Sequence, residues 1–219
     1  MGLAKDISKR WEGGETVGEK IKKAFSKKEP IKYKLLMSNY KIKALASRID
    51  VQLERLKERD RMLFERVVDA IIAKDNARAT MLANEIAEIR KAARQLAMVQ
   101  VALEQISMRI ETVVLLGDTF ANLAPVLGVV RELRGLVRGL MPEFSYEMLE
   151  LEESLREVVL ETGEGLSAPY VETAYASPEA KKILEEAKIV AEQRIKESFP
   201  ALPTIPTTTT ETSKAEASP

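Results

Sequence analysis

An all-α fold is what this sequence predicts: a long antiparallel helical hairpin with additional shorter C-terminal helices, elongated rather than globular. Three observations lead there. Two apolar ladders, Leu35 to Ile72 and Met81 to Leu123, recur at the three- and four-residue steps of a single helix face. Only Lys74-Asp75-Asn76 separates them, a break so short that the two helices must fold back on each other. Aromatic residues make up 5% of the 219, and Gly and Pro are sparse before residue 117, which favours helix over sandwich or barrel.

In the first long helix the seam reads Leu35, Ile42, Leu45, Ile49, Leu53, Leu56, Leu63, Val67 and Ile71. In the second it reads Leu82, Ile86, Ile89, Ala93, Leu96, Leu103, Ile106, Ile110, Val113 and Phe120. The spacing is close to a heptad and is interrupted by Asp60 and Gln100, so imperfect coiled-coil packing is expected. A helix of roughly 42 residues is about 63 Å long, too long for a globule.

Ahead of the hairpin, Leu3, Ile7 and Trp11 recur at four-residue steps, as do Val17, Ile21 and Phe25, with Gly13-Gly14 between the two sets. Each set forms a short amphipathic segment among lysines and arginines that include Lys9, Arg10, Lys22 and Lys23. Pro30 stops the second segment and opens the first long helix. Beyond the hairpin, Ala124-Pro125 is expected to kink or end the second helix. A third, glycine-weakened helix then carries Arg131, Arg134 and Arg138 and stops at Met141-Pro142. Glu143 to Leu160 forms an acidic amphipathic helix, and Gly163 to Ala176 reads as a linker. Ser177-Pro178-Glu179 supplies a cap, a first-turn proline and an early acid, opening a last helix that runs to about Ser198. From Phe199, prolines at 200, 203 and 206 keep the three-residue period of a polyproline helix, with Leu202 and Ile205 as docking side chains, and a Thr-rich tail follows. The organisation is therefore a basic amphipathic N-terminal segment (1–29), a hairpin core with its third helix (30–141), acidic regulatory helices (142–198), and a Pro-rich motif with a disordered tail (199–219).

Charge is divided along this plan. The formal net charge is zero, yet residues 1–141 hold 27 Lys plus Arg against 18 Asp plus Glu, and residues 142–219 hold 7 against 16. Two halves of opposite sign attract, so the later helices are expected to close over the basic hairpin, and an anionic surface can compete for it.

The sequence has no Cys and no His. That removes disulfides, Cys or His zinc sites, thiol nucleophiles and His-based proton transfer. Gly13 to Gly18 imitates a phosphate-binding loop, but Glu19 stands where that motif needs Lys, and Ile21 offers no hydroxyl for magnesium. Carboxylate pairs such as Glu85 with Glu88 are solvated helix faces; the expectation is no catalytic residue, no cofactor and no metal. No apolar run reaches the roughly 18 residues that would cross a bilayer. The amphipathic start instead has the Trp, Phe, Ile and Leu edge with flanking Lys that suits an anionic membrane surface. Leu3, Ile7, Lys9, Arg10, Trp11, Val17, Ile21, Lys22, Lys23 and Phe25 are the candidate membrane contacts. A soluble coiled-coil adaptor or tether, binding protein or nucleic acid through the same basic start, is the competing reading, although only Trp11 and Phe25 are there to stack on bases.

A basic helical hairpin, a shorter third helix, an acidic C-terminal half and a terminal proline motif together resemble the ESCRT-III family. The stretch Lys34 to Arg61, with Lys41-Ile-Lys-Ala-Leu-Ala-Ser-Arg-Ile-Asp-Val-Gln-Leu-Glu, looks most like the archaeal CdvB paralogues of cell division, in a form without the winged-helix tail. The likeness covers about residues 15 to 206. It implies a subunit that polymerises with itself and with paralogues on the cytoplasmic face of the membrane at the division site, and that constricts or severs a membrane neck. It also implies that Leu202, Pro203, Ile205 and Pro206 dock the MIT domain of the AAA ATPase CdvC.

Overall fold

The computed structural model describes residues 29–117, 123–162 and 177–203. Every regular element among them is a helix: α1 (Ile31–Ile72), α2 (Asn76–Leu116), α3 (Ala124–Val137), α4 (Pro142–Glu161) and α5 (Pro178–Ser198). The ten candidate membrane contacts, together with Phe120, the linker after α4, and Ile205 and Pro206, lie outside the described residues.

Helices α1 and α2 run 42 and 41 residues without a glycine or proline, so nothing interrupts the backbone ladder of either. The turn between them is built by Lys74 in the left-handed region (φ 59°). Its amide donates to the Ile71 carbonyl (3.0 Å) and the Asp75 amide to that of Ala70 (2.9 Å), a paired closure of the α1 C-terminus. Asp75 then caps α2 by accepting from the Arg78 amide (3.0 Å). One aspartate ends one helix and starts the next, which is why the break needs so few residues.

The hairpin register is fixed by polar pairs along its length. Buried Asn39 accepts from Ser107 Oγ (2.7 Å) and donates to Glu111 (3.2 Å), Gln100 donates to Asp50 (3.1 Å), and Arg59 meets Glu85 (2.6 Å). Asp60, read in the sequence as an interruption of the seam, is instead a member of it. Its side chain is buried and accepts two bonds from Arg90, Nε to Oδ1 at 2.6 Å and Nη2 to Oδ2 at 3.0 Å. A fork-to-fork pair of this kind satisfies both charges within the interface.

The second helix ends earlier than its proline suggested. Gly117 adopts a left-handed conformation (φ 75°) and its amide closes on Val113, so α2 stops at Leu116; Pro125 lies in the first turn of α3, where a missing amide costs nothing. The acidic helix and the last helix fall where the sequence put them. Ser177 Oγ accepts from the Ala180 amide (3.2 Å) at the start of α5.

Burial differs along the hairpin. Near the turn, Leu63, Val67, Leu82, Ile86 and Ile89 form a two-helix core drawn from α1 and α2 alone. Toward the other end α3, α4 and α5 pack on, and the middle of α2 is buried around more of its girth than one seam requires, adding Ala97, Val99, Val101 and Ala102 to Leu96, Leu103 and Ile106. The single apolar stripe expected on α2 is therefore a wider band. Leu127, Val130 and Leu133 of α3 and Leu151, Leu155 and Val158 of α4 complete that core.

Candidate functional site

The acidic helix α4 lies along the basic N-terminal half of α1, and its contacts are in strict antiparallel order. Lys34 Nζ donates to Glu157 (2.7 Å) and to Glu161 (3.3 Å). Ser38 and Ser154 share a hydrogen bond of 3.2 Å, Lys41 faces Glu150 at 3.6 Å, and Arg48 reaches both oxygens of Glu147 at 2.6 and 2.7 Å. The Arg48 guanidinium also sits 4.3 Å from the centre of the Phe144 ring, a cation held over an aromatic face. Each step forward on α1 is a step back on α4. Opposite charge in the two halves of the sequence has become a register.

Two titrations respond to the packing. Burial works against the charged form of Lys34, but its hydrogen bonds to Glu157 and Glu161 outweigh that and hold the ammonium above its ordinary value of 10.5. On the opposite flank of α1, Glu111 is held below its ordinary value of 4.5, first by the bond from Lys43 (2.6 Å) and then by that from Asn39. Both shifts favour the ionised pairs at neutral pH, that of Lys34 between α1 and α4 and that of Glu111 within the hairpin.

Charge aligns α4, but apolar burial holds it. Exposed ion pairs contribute about 0.2–1 kcal/mol each, whereas Phe144, Met148, Leu151, Leu155, Val158 and Val159 are all buried against the core. At about 1.5–3 kcal/mol per large side chain, that face outweighs the ladder several-fold before entropy is counted. Releasing α4 therefore requires another surface to take those side chains, and screening of the ion pairs alone is insufficient.

The last helix closes over α2. Arg194 reaches Glu104 (3.1 Å), while Ala191, Ile195 and Phe199 pack on Ala93 and Ala97. Phe199, the residue directly ahead of the Pro-rich stretch, is buried with Arg90 5.6 Å from its ring centre. The motif is thus pinned at its first residue to the guanidinium that Asp60 holds. Three residues on, Leu202 is 39% exposed and Pro203 half-buried. Of the four docking residues read from the sequence, these two are placed, just beyond the α5 anchor. The signal for Phe199 as an anchor was visible, since it extends the Ala187, Ala191, Ile195 face by one more turn.

A groove of about 210 Å³ runs between α1, α2 and the end of α5, lined by Asp50, Leu53, Lys57, Arg194, Ser198 and Phe199 among others. Among the described residues no group of three or more carboxylates could hold a metal, and no helix is long and apolar enough to cross a membrane.

No protein-family model matches the chain, and no solved structure matches it. Curated relatives do. Cell division protein B1 of Sulfolobus acidocaldarius is 52% identical over 206 residues, covering 92% of this chain and 91% of the relative. Cell division protein B of the same organism is 36% identical over 163 residues, 74% of this chain and 62% of a longer protein. Cell division protein B3 is 27% identical over 152 residues, 69% of this chain and 87% of that one. The 52% identity spans nearly the whole of both chains, so it takes in the basic hairpin and its acidic cover together. By that identity, carried on an all-helical hairpin fold, the chain belongs to the CdvB-type branch of the ESCRT-III family.

Proposed function

We propose that the chain is a polymer-forming subunit of archaeal cell division that binds membrane through its amphipathic N-terminus and remodels it by assembly, with no catalytic step of its own. The observation that carries the reading is the register-matched closure of acidic α4 on basic α1, which buries an apolar face that a neighbouring subunit could equally cover. In this reading the described arrangement is the closed form. Opening exchanges intramolecular burial for burial between copies, so each added subunit recovers what opening exposes, and weak contacts sum along a filament.

The partners follow from the same logic. Copies of this chain and its paralogues supply the exchange surface; three distinct B-type proteins in one organism are consistent with mixed assemblies. Anionic lipid on the cytoplasmic side of the division site meets the segment from Leu3 to Phe25. The MIT domain of the ATPase CdvC takes the motif that begins beyond Phe199, for which the exposure of Leu202 is favourable.

Co-sedimentation with vesicles tests the membrane part. Anionic vesicles should pull down the full chain in a salt-sensitive manner, neutral vesicles should not, and Trp11→Ser should weaken the binding. Electron microscopy of the lipid-bound fraction should show filaments. A chain that ignores anionic vesicles and stays a single small species would favour a soluble tether instead.

A further inference from the structure

The face of α1 turned away from the core carries a second regular pattern. Tyr33, Met37, Tyr40, Ala44, Ser47 and Val51 follow one another at steps of four, three, four, three and four, the spacing that keeps residues on one edge of a packed helix. All six are exposed, Tyr40 by 70% and Val51 by 49%. None is charged, in a chain where 31% of residues are. Among the described residues, no helix covers this edge. It is bounded on one side by Lys34, Lys41 and Arg48, which engage α4, and on the other by Asn39, Lys43 and Asp50, which engage α2.

The sizes along the edge are ordered. Tyr33, Met37 and Tyr40 are large and lie in its first half; Ala44, Ser47 and Val51 are smaller and lie in its second. Laying the edge against a second copy of itself in antiparallel sense, about a two-fold axis at position 42, sets Tyr33 opposite Val51, Met37 opposite Ser47 and Tyr40 opposite Ala44. Every large side chain then meets a smaller one, the interdigitation that packs helices without voids. A parallel, in-register copy would put Tyr40 on Tyr40 and Ser47 on Ser47, crowded at one end and empty at the other. The axis also brings Lys41 near its own copy and Lys43 near its own, and each already has a carboxylate, Glu150 at 3.6 Å and Glu111 at 2.6 Å. The like-charge cost at the centre is thereby reduced.

We propose that this edge of α1 is a self-association surface that pairs antiparallel with the same edge of a second copy around a two-fold axis at position 42. The proposal rests on the self-assembly reading and adds to it a surface, a direction and a register. It leaves α4 in place, so it operates in the closed chain as well as in the open one. One helix edge of about 27 Å buries less than the roughly 800 Å² per partner of a stable dimer. The pairing is accordingly weak alone and acts when copies are concentrated.

The sequence has no cysteine, so introduced ones report only their own neighbours. Full-length Met37→Cys and Ser47→Cys chains, mixed in equal amounts under assembly conditions and treated with a short bis-maleimide, should give a cross-linked heterodimer. Neither chain alone should link, because in this register Met37 lies about 15 Å along the axis from its own copy. Linking of Met37→Cys alone as readily as the mixture means parallel pairing and overturns the proposal. If chains assemble but no mixture links, the proposal falls while self-assembly stands; if the unmodified chain never assembles, with or without lipid, both fall. Ala44→Arg, at an exposed helical position that accepts arginine, should weaken association by about tenfold or more with helix content unchanged, since it places two cations across the axis. Association unchanged by Ala44→Arg would also overturn the proposal.

Discussion

At the scale of single residues, the polar groups inside the hairpin matter more than their number suggests. Asp60 is 1% exposed and its charge is balanced by Arg90 alone among the described contacts. Removing one member leaves an uncompensated charge at the interface, whereas replacing both with packed apolar groups need cost little. Asp60→Ala should therefore lower unfolding stability by about 3 kcal/mol, and Asp60→Leu with Arg90→Leu should recover most of that loss, both read from urea melts. The change also frees the guanidinium beneath Phe199, so proteolysis after α5 should quicken in the single variant and not elsewhere. Lys34 gives a pH prediction of definite sign. Its folded value is raised above 10.5, so its contribution is complete below that pH and disappears as pH climbs through the raised value. Amide exchange of α4 should accelerate, beyond its ordinary base-catalysed rise, above about pH 10.5 in the native chain, and Lys34→Met should abolish that extra rise.

At the scale of elements, the helices do not all owe their stability to the same cause. Helices α1 and α2 combine unbroken propensity with a long apolar seam, α5 has a serine cap and a first-turn proline, and α3 has burial without propensity. Gly135 lies inside α3, is exposed, and a methyl group placed on it would touch nothing within 4 Å. Gly135→Ala should raise stability by about 0.5–1 kcal/mol in thermal or chemical unfolding. A decrease would mean that α3 changes shape in the folded ensemble and uses the glycine to do so. Ser177→Ala should cost about 1 kcal/mol, because the Ala180 amide loses its acceptor at the α5 start.

At the scale of the whole molecule, charge chooses the arrangement and apolar burial sustains it. Glu147→Lys with Glu157→Lys should reverse the ladder at Arg48 and Lys34 while leaving the buried face of α4 untouched. The expected result is faster amide exchange across α4 and greater assembly at a given concentration, without loss of helix content. Added salt should do the same more weakly, since it screens the exposed pairs and leaves burial intact. No change in either readout would mean that the α4 contact does not limit opening.

Much of this was legible in the order of the residues. The hairpin follows from two apolar ladders, unbroken by proline and, before Gly117, by glycine, on either side of a three-residue break, and the α5 start from Ser177-Pro178-Glu179, because helix periodicity and capping are local properties. The opposed charge of the halves foretold that they meet. Which lysine meets which glutamate, the membership of Asp60 in the seam and the breadth of the α2 band were decided only by tertiary packing. Each depends on a neighbour far away in sequence: a buried aspartate reads as a flaw until Arg90 stands opposite it, and a wide apolar band reads as one stripe until α3 and α5 arrive to cover it.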